Sequence, residues 1–276
     1  MTATFDPVTF EILRHRLTAI NDEAAVTIAF ASGSPVATEA YDFNSALMTA
    51  SGDVVLVGQY IVAHAAAMDL LVKHLIAEYA DNPGIGPGDM FMTNDPYIAA
   101  MHQPDVVVAA PIFVDGELVA WCGSVVHQSD VGGPLAGSVG AGAASIYQEA
   151  IPLAPVRIVE AGRVRKDIER EFLIRSRTPE LNALDTRAQI AANNVHAMGF
   201  AEVCATYGTA TVTGCMEWLI DTTTRRFEQR LRGLPDGEWS HTCYVEHDGR
   251  SDEVYRVELI LRKAGGTMRN SPDGCA

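Results

Sequence analysis

The chain has 276 residues, 48% of them hydrophobic, which is enough to bury the core of one large domain or two ordinary ones. Its formal net charge of -15 at pH 7 repels phosphate backbones and anionic leaflets, so neither nucleic acid nor a membrane is expected as a partner. The start lacks a basic stretch followed by an apolar one, and no apolar run reaches membrane-spanning length, which predicts a cytoplasmic protein.

The first part of the chain predicts a helix, a small hairpin and a second helix. Asp6 and Pro7 form a typical helix start, with a capping side chain followed by proline at the first helical position, and apolar residues then recur at helical spacing. The apolar runs 46–48 and 54–57 flank a Ser-Gly turn and indicate a hairpin. A second helix is predicted over 61–79.

A longer hairpin is predicted in the middle of the chain. The runs 106–114 and 117–126 are rich in β-branched and aromatic residues. They are joined by Asp115-Gly116, a pair that readily takes the positive φ angles of a two-residue turn. With that turn, position 127 falls opposite position 104.

The tetrapeptide His-Gln-x-Asp followed by Val occurs at both open ends of this hairpin, at 102–106 and again at 127–131. The hairpin therefore brings the two copies together, and His102, Asp105 and His127 can meet there. Two neutral imidazoles and a carboxylate are a common ligand set for a divalent metal, and manganese, zinc and iron all accept it. The alternative is that each histidine ends a strand and each aspartate satisfies turn amides.

Other polar residues precede the motifs in the sequence. His64, on the second predicted helix, is either a site residue or a satisfied core histidine. Asp42 begins the first hairpin and either faces the site or belongs to a solvated turn. Asn94 and Asp95 follow a predicted strand over 89–93. They either orient a metal-ligand side chain without contacting the metal, or form an Asx turn ahead of a proline.

Residues 131–145 are mostly Gly, Ala, Ser and Val, which predicts a long flexible loop directly after the second motif. Such a loop is either a mobile lid that faces the substrate or a disordered surface excursion. The remaining predicted elements are short strands up to residue 159, helices over 169–176, 185–207 and 209–232, and strands over 239–247 and 253–261.

Together these elements predict an α+β fold in which antiparallel hairpins carry the site and several long helices flank them. Four parts are expected within one integrated catalytic domain: a helical and hairpin part, a part with the motifs and the Gly-rich loop, a helical part, and the start of a β-rich part. Their bounds are 1–83, 84–160, 161–234 and 235–276.

Several short motifs, in order, resemble landmarks of the hydantoinase B/5-oxoprolinase family. The resemblance spans nearly the whole chain. The residues that carry it are Asp6-Pro7-Val8-Thr9, Asp42-Phe43-Asn44, Gly88-Asp89, Asn94-Asp95-Pro96-Tyr97, His102-Gln103-Pro104-Asp105, His127 to Gly133, Gly137-Ser138, Gln148-Glu149 and Arg177-Thr178-Pro179.

The resemblance implies a catalytic subunit that works with an A-type partner, which binds ATP and phosphorylates the amide or enol oxygen of the substrate. In the carboxylase branch of that family a His-x-x-Asp pair and a later His hold manganese, and these roles fall on His102, Asp105 and His127. Such a metal activates water and polarises a carbonyl. Asp130 is then the candidate general base or a hydrogen-bond partner of a ligand histidine, and His64 is a further catalytic candidate.

The function implied is that of a metal-dependent subunit in a hetero-oligomeric, ATP-dependent complex that hydrolyses a lactam or hydantoin. Gln148 and Glu149 are candidates for contacts with this small-molecule substrate or with the ligands. One alternative is an α-type subunit of a ketone carboxylase of the acetone or acetophenone type. Another is a non-catalytic scaffold subunit of such a complex.

The chain departs from the family pattern in two places. Ala99-Ala100-Met101 stands where many members have Gly-Gly-Thr, and Gln128 stands where many have a second consecutive histidine. The ligand set is kept, whereas substrate contacts are expected to differ. Family chains also continue further into β-rich structure, so Ala276 is expected to be a truncated end or to be complemented by another chain.

Overall fold

The computed structural model describes residues 6–140 and 142–272. The chain divides into two compact units, the first formed by 1–139 and 145–218 and the second by 140–144 and 219–276. Among the described residues, no helix combines the length and the apolar character needed to cross a lipid bilayer.

The first unit is built on a seven-stranded antiparallel sheet with the strand order β2-β1-β5-β4-β3-β6-β7. The first two predicted parts, 1–83 and 84–160, both contribute strands to it. The strands are β1 (Phe43–Thr49), β2 (Val54–Val57), β3 (Met90–Thr93), β4 (Asp105–Val114), β5 (Glu117–His127), β6 (Val156–Glu160) and β7 (Arg163–Val164).

Helices cover both faces of this sheet. They are α1 (Pro7–Ala31), α2 (Pro35–Thr38), α3 (Ala65–Glu78), α4 (Lys166–Leu173) and α5 (Pro179–Tyr207). The last helix, α6 (Thr209–Arg232), begins in the first unit, which ends at Trp218. Val107 and Val125 pack in one cluster with the apolar residues of α3. Phe43 and Val126 pack with α1 and α5 instead. Because successive strand residues point to opposite faces, α3 lies on one face of the sheet and α1 with α5 on the other.

Local sequence signals explain where the helices begin. Asp6 caps α1 by accepting a hydrogen bond from the backbone N–H of Thr9 at 2.9 Å, as the Asp-Pro start predicts. The prediction for α5 was wrong by six residues, because the helix begins at Pro179, where proline occupies the first helical position. The prediction for α4 was three residues late. The second predicted helix begins as a 3₁₀ turn, Val62–His64, and continues as α3.

The hairpin of β4 and β5 differs from the sequence prediction in its register. Asp115 and Gly116 both have positive φ, and Val114 pairs with Glu117, as expected for a two-residue turn. A β-bulge follows, because Phe113 pairs with Leu118 whereas Ile112 pairs with Ala120. Beyond the bulge the register is shifted by one residue, so the residue opposite His127 is Asp105 and not position 104.

The second unit contains the end of α6 and a three-stranded antiparallel sheet with the order β10-β9-β8. The strands are β8 (Gly237–Val245), β9 (Tyr255–Ala264) and β10 (Thr267–Pro272). No strand was predicted after residue 261, but β10 extends through Pro272, and residues 273–276 lie outside the described part. The small sheet is largely exposed, and Lys263 is its buried charged residue, bonded to Asp236.

The mixed α+β class with antiparallel hairpins and long flanking helices is confirmed.

Candidate metal centre

The start of β4 and the end of β5 bring the two His-Gln-x-Asp motifs together. Asp105 and His127 are direct cross-strand partners, so their side chains emerge on the same face of the sheet. His127 Nδ1 lies 3.2 Å from Asp105 Oδ1. His102, three residues before Asp105, places its Nδ1 3.5 Å from Asp105 Oδ2. The two imidazole rings are 4.9 Å apart and nearly perpendicular.

The three side chains fit a divalent metal ion. Each offers one ligand atom, and these atoms all lie within 4.8 Å of one another. Metal–ligand bonds of about 2.0–2.2 Å separate neighbouring ligand atoms by about 3.0–3.5 Å, which matches the distances to Asp105. The Asp105 carboxylate is fully buried, and its Oδ2 has no hydrogen-bond partner among the described residues. A buried anionic oxygen of this kind is stabilised by a cation.

Asp42 and His64 stand next to these three residues. His64 Nε2 lies 2.8 Å from Asp42 Oδ1, and a carboxylate only accepts, so this nitrogen carries the proton. His64 Nδ1, on the other side of the ring, lies 3.9 Å from Asp105 Oδ2 and has no hydrogen-bond partner among the described residues. Asp42 Oδ2 also approaches His127 Nδ1 to 3.8 Å. A carboxylate that orients a histidine in this way is typical of metal sites.

The loops around the motifs are held by buried polar side chains. Asn94 donates to the backbone carbonyl of Gln103 at 2.7 Å, and the Gln103 side chain donates to Glu149 at 2.7 Å. Asn94 and Glu149 thus support the loop that carries His102, and their predicted role behind metal ligands stays a prediction. Asp95 makes an Asx turn with the backbone N–H of Tyr97, which is its alternative interpretation.

Gln148 ends the 3₁₀ turn Ile146–Gln148, one residue before Glu149. Its role as a substrate contact stays a prediction.

Asp130 has a different environment from Asp105. Its carboxylate accepts hydrogen bonds from the backbone N–H groups of Gly132, Gly137 and Arg177 and from the Arg177 guanidinium at 2.8 Å. Burial raises the pKa of Asp130, but the bonds from Arg177, Gly132 and Gly137 outweigh it and hold the pKa below its usual value. These contacts make Asp130 the anchor of a loop, and its role as a general base stays a prediction.

The first half of the Gly-rich loop is packed closely against neighbouring backbone, whereas its composition predicted a flexible loop. A Cβ atom at Gly132 would lie 2.7 Å from the carbonyl oxygen of Arg175, and one at Gly133 would lie 2.8 Å from the backbone nitrogen of Ala150. Both glycines have positive φ. Ser138 closes the loop by accepting from the N–H of Val131 and donating to Gly132. Glycine serves here for close backbone approach.

Sequence reasoning missed the roles of several supporting residues. Arg177 entered only as part of a family landmark, and the Gln of the first motif was given no role. A row of buried polar residues on α5 was also missed, although its helical spacing is visible in the sequence once the helix is taken to begin at Pro179.

The fold and the cluster together define an α+β protein with a candidate three-ligand metal centre at the open end of a β-hairpin. The sequence profile of the hydantoinase B/oxoprolinase family matches residues 6–270. This chain belongs to the hydantoinase B/oxoprolinase family, as the sequence motifs predict.

Two curated relatives and one solved structure illustrate the relationship. The chain is 30% identical to the caprolactamase subunit beta of Pseudomonas jessenii, over 89% of this chain and 42% of the relative. It is 28% identical to the acetophenone carboxylase delta subunit of Aromatoleum aromaticum, over 97% of this chain and 39% of the relative. The crystal structure of the ATP-dependent caprolactamase from Pseudomonas jessenii superposes with a TM-score of 0.89 at 28% identity, over 98% of this chain and 46% of that chain. The chain thus spans less than half the length of these relatives.

Proposed function

We propose that this chain is the metal-dependent catalytic subunit of an ATP-dependent, hydantoinase- or oxoprolinase-like complex that hydrolyses a cyclic amide. The observation that carries the proposal is a buried carboxylate, Asp105, between two imidazoles at 3.2 and 3.5 Å. Relatives named as subunits of a caprolactamase and of a hydantoinase support the reaction class and a hetero-oligomer. An ATP-binding partner of the A type would activate the amide oxygen of the substrate.

In this proposal His102, Asp105 and His127 hold the ion. A bound divalent ion would supply Lewis acidity and lower the pKa of a water molecule. The His102 side chain is 44% exposed, so the cluster is open to solvent beside His102. The buried Asp105 side chain forms the inner side of the cluster. Asp42 orients His64 through Nε2, and the buried Nδ1 of His64, which faces Asp105, would be a proton acceptor or a further ligand in the proposed site.

A second candidate function is ATP-dependent ketone carboxylation. The match to the acetophenone carboxylase delta subunit, which covers 97% of this chain, favours it. The same ligands would serve both reactions, since each requires stabilisation of negative charge on an oxygen. With the partner present, ring opening that depends on ATP alone supports the hydrolase, and turnover that also requires bicarbonate supports the carboxylase.

The central test is the metal content of the chain purified with its partners. We expect stoichiometric manganese, zinc or iron in the wild type and its loss in Asp105→Asn, because the amide removes the charge that binds the cation. Asp167→Asn is the matched control, since Asp167 is an exposed carboxylate on α4 paired with Arg165. A metal-free wild type, together with full activity of the assembled complex carrying His102→Ala, would favour the scaffold alternative.

A further inference from the structure

One face of α5 carries a row of buried polar side chains where an apolar face is expected. Each is less than one-tenth exposed, and they recur at the three- and four-residue spacing that defines one side of a helix. The residues are Asn182, Asp185, Thr186, Gln189, Asn193 and His196.

Four residues of this row bond to the hairpin that carries the candidate ligands or to the loop that follows it. Asn182 donates to the backbone carbonyl of Asp130 at 2.6 Å, and Thr186 receives a hydrogen bond from Gln128. Asn193 donates to the carbonyl of Val108 on β4 at 3.2 Å. Side chains of α5 therefore form hydrogen bonds with β4 and with the loop that follows β5.

Gln189 differs from the others because it bonds to both strands at once. Its Nε2 donates to the carbonyl of Val106 on β4 at 2.9 Å and to the carbonyl of Ser124 on β5 at 3.2 Å. These two carbonyls flank the cross-strand pair of Val107 and Val125. Val106 is the residue after Asp105, so the bridge lies directly behind the ligand, on the opposite face of the sheet.

The hairpin contains two registers, one on each side of the bulge. The two-residue turn imposes one register up to Phe113 and Leu118, and the bulge replaces it with another from Ile112 onward. Without the shift, position 104 would be opposite His127, and Asp105 and His127 would point to opposite faces. Gln189 Nε2 also lies 3.4 Å from the Ser124 hydroxyl, and a slip that turned β5 over would carry this hydroxyl away from the α5 face.

We propose that Gln189 is a positioning residue that selects the bulged register and thereby assembles the candidate metal centre. It acts through the backbone of β4 and β5 and does not contact the ligands. The inference rests on the proposed metal centre for its role in function, whereas its effect on register stands independently of any metal.

Binding of Co²⁺ to the purified chain tests the functional consequence. Gln189→Met keeps the length of the side chain but lacks the amide, and we expect its Co²⁺ affinity to fall about tenfold or more, with a changed visible spectrum, as for other residues that support metal ligands. Asn193→Leu is the matched control, because it removes a buried amide that bonds to one strand only. The Co²⁺ affinity of Asn193→Leu should stay within about threefold of the wild type, since the Asn193 side chain bonds to one strand and therefore does not fix how the two strands pair.

Amide hydrogen exchange in the metal-free chain tests the register itself. In Gln189→Met we expect exchange to quicken about fivefold at 105–108 and 124–127, as for the loss of one hydrogen bond, and to be unchanged at 112–120. Equal exchange in wild type and Gln189→Met, or equal Co²⁺ losses in Gln189→Met and Asn193→Leu, would overturn the inference. A wild type that binds no Co²⁺ would contradict the proposed function, and the exchange comparison would still decide the role of Gln189.

Discussion

Two aspartates that occupy the same position of a repeated motif have different environments in this protein. Asp105 is buried between imidazoles, whereas Asp130 is buried against the guanidinium and backbone of Arg177. Asp105 is the first residue of β4 and pairs with His127 on β5, so its carboxylate lies beside an imidazole. Asp130 lies in the loop after β5, and the backbone N–H groups of Gly132 and Gly137 in that loop donate to its carboxylate. The Asp105 carboxylate is suited to bind a cation, whereas the negative charge of Asp130 is already balanced by the Arg177 guanidinium.

The environment of Asp130 predicts a structural effect for Asp130→Asn. The amide cannot accept all four hydrogen bonds, and we expect the free energy of unfolding to fall by about 2 kcal/mol at pH 7. The folded-state pKa of Asp130 lies below its usual value, so its contribution is present above about pH 4 and is lost as the pH falls through the folded pKa. Urea unfolding of both proteins between pH 3 and 7 should show a difference that narrows in acid.

Metal content separates this interpretation from the catalytic one. The variant should retain its metal, because Asp130 lies outside the ligand cluster. Unchanged stability with lost turnover would instead support Asp130 as a general base.

At the scale of elements, the hairpin was predictable and its register was not. The Asp-Gly pair marks the turn, because both residues must take positive φ. The bulge at Val119 falls within a continuous apolar run, so no change of residue type indicates its position in the sequence. The proposed role of Gln189 makes the pairing of Asp105 with His127 depend on a tertiary contact from α5, far along the chain.

The Gly-rich loop shows a second limit of composition. Glycine is compatible both with flexibility and with close packing, and the sequence does not distinguish the two. Here the backbone at Gly133 lies against Glu149 and Ala150, and Glu149 in turn holds the Gln103 side chain of the first motif. The loop is thus part of the wall around the candidate site.

Two alanine substitutions test whether this loop is packed or flexible. Gly133 and Gly137 both have positive φ, and a Cβ at Gly137 meets nothing closer than 4.0 Å. Gly137→Ala should cost about 1–2 kcal/mol from backbone strain alone. Gly133→Ala should cost a further 1–3 kcal/mol, approximately, from overpacking against Ala150. Equal unfolding midpoints in urea would show that the loop relaxes freely, as its composition first suggested.

At the scale of the whole molecule, the core and the candidate site belong to the first unit. The seven-stranded sheet collects strands from segments far apart in sequence, and helices cover both of its faces. Helical and strand periodicity predicted most of these elements, but not the order of the strands, which depends on long-range pairing. In the described part of the chain, Leu231 is the one buried apolar residue after Met216.

This distribution predicts that a variant ending at Gly233 keeps the fold of the first unit. It lacks β8, β9 and β10, and among their described residues none that is apolar is fully buried, so little apolar burial is lost. We expect a cooperative thermal transition, a free energy of unfolding within about 1 kcal/mol of the full chain, and unchanged Co²⁺ affinity. A second variant, ending at Tyr207, also lacks α6, including the buried Val212, Cys215 and Met216, and should be markedly less stable. If the first variant lost its cooperative transition, the small sheet would have to support the core, and the assignment of stability to the first unit would be wrong.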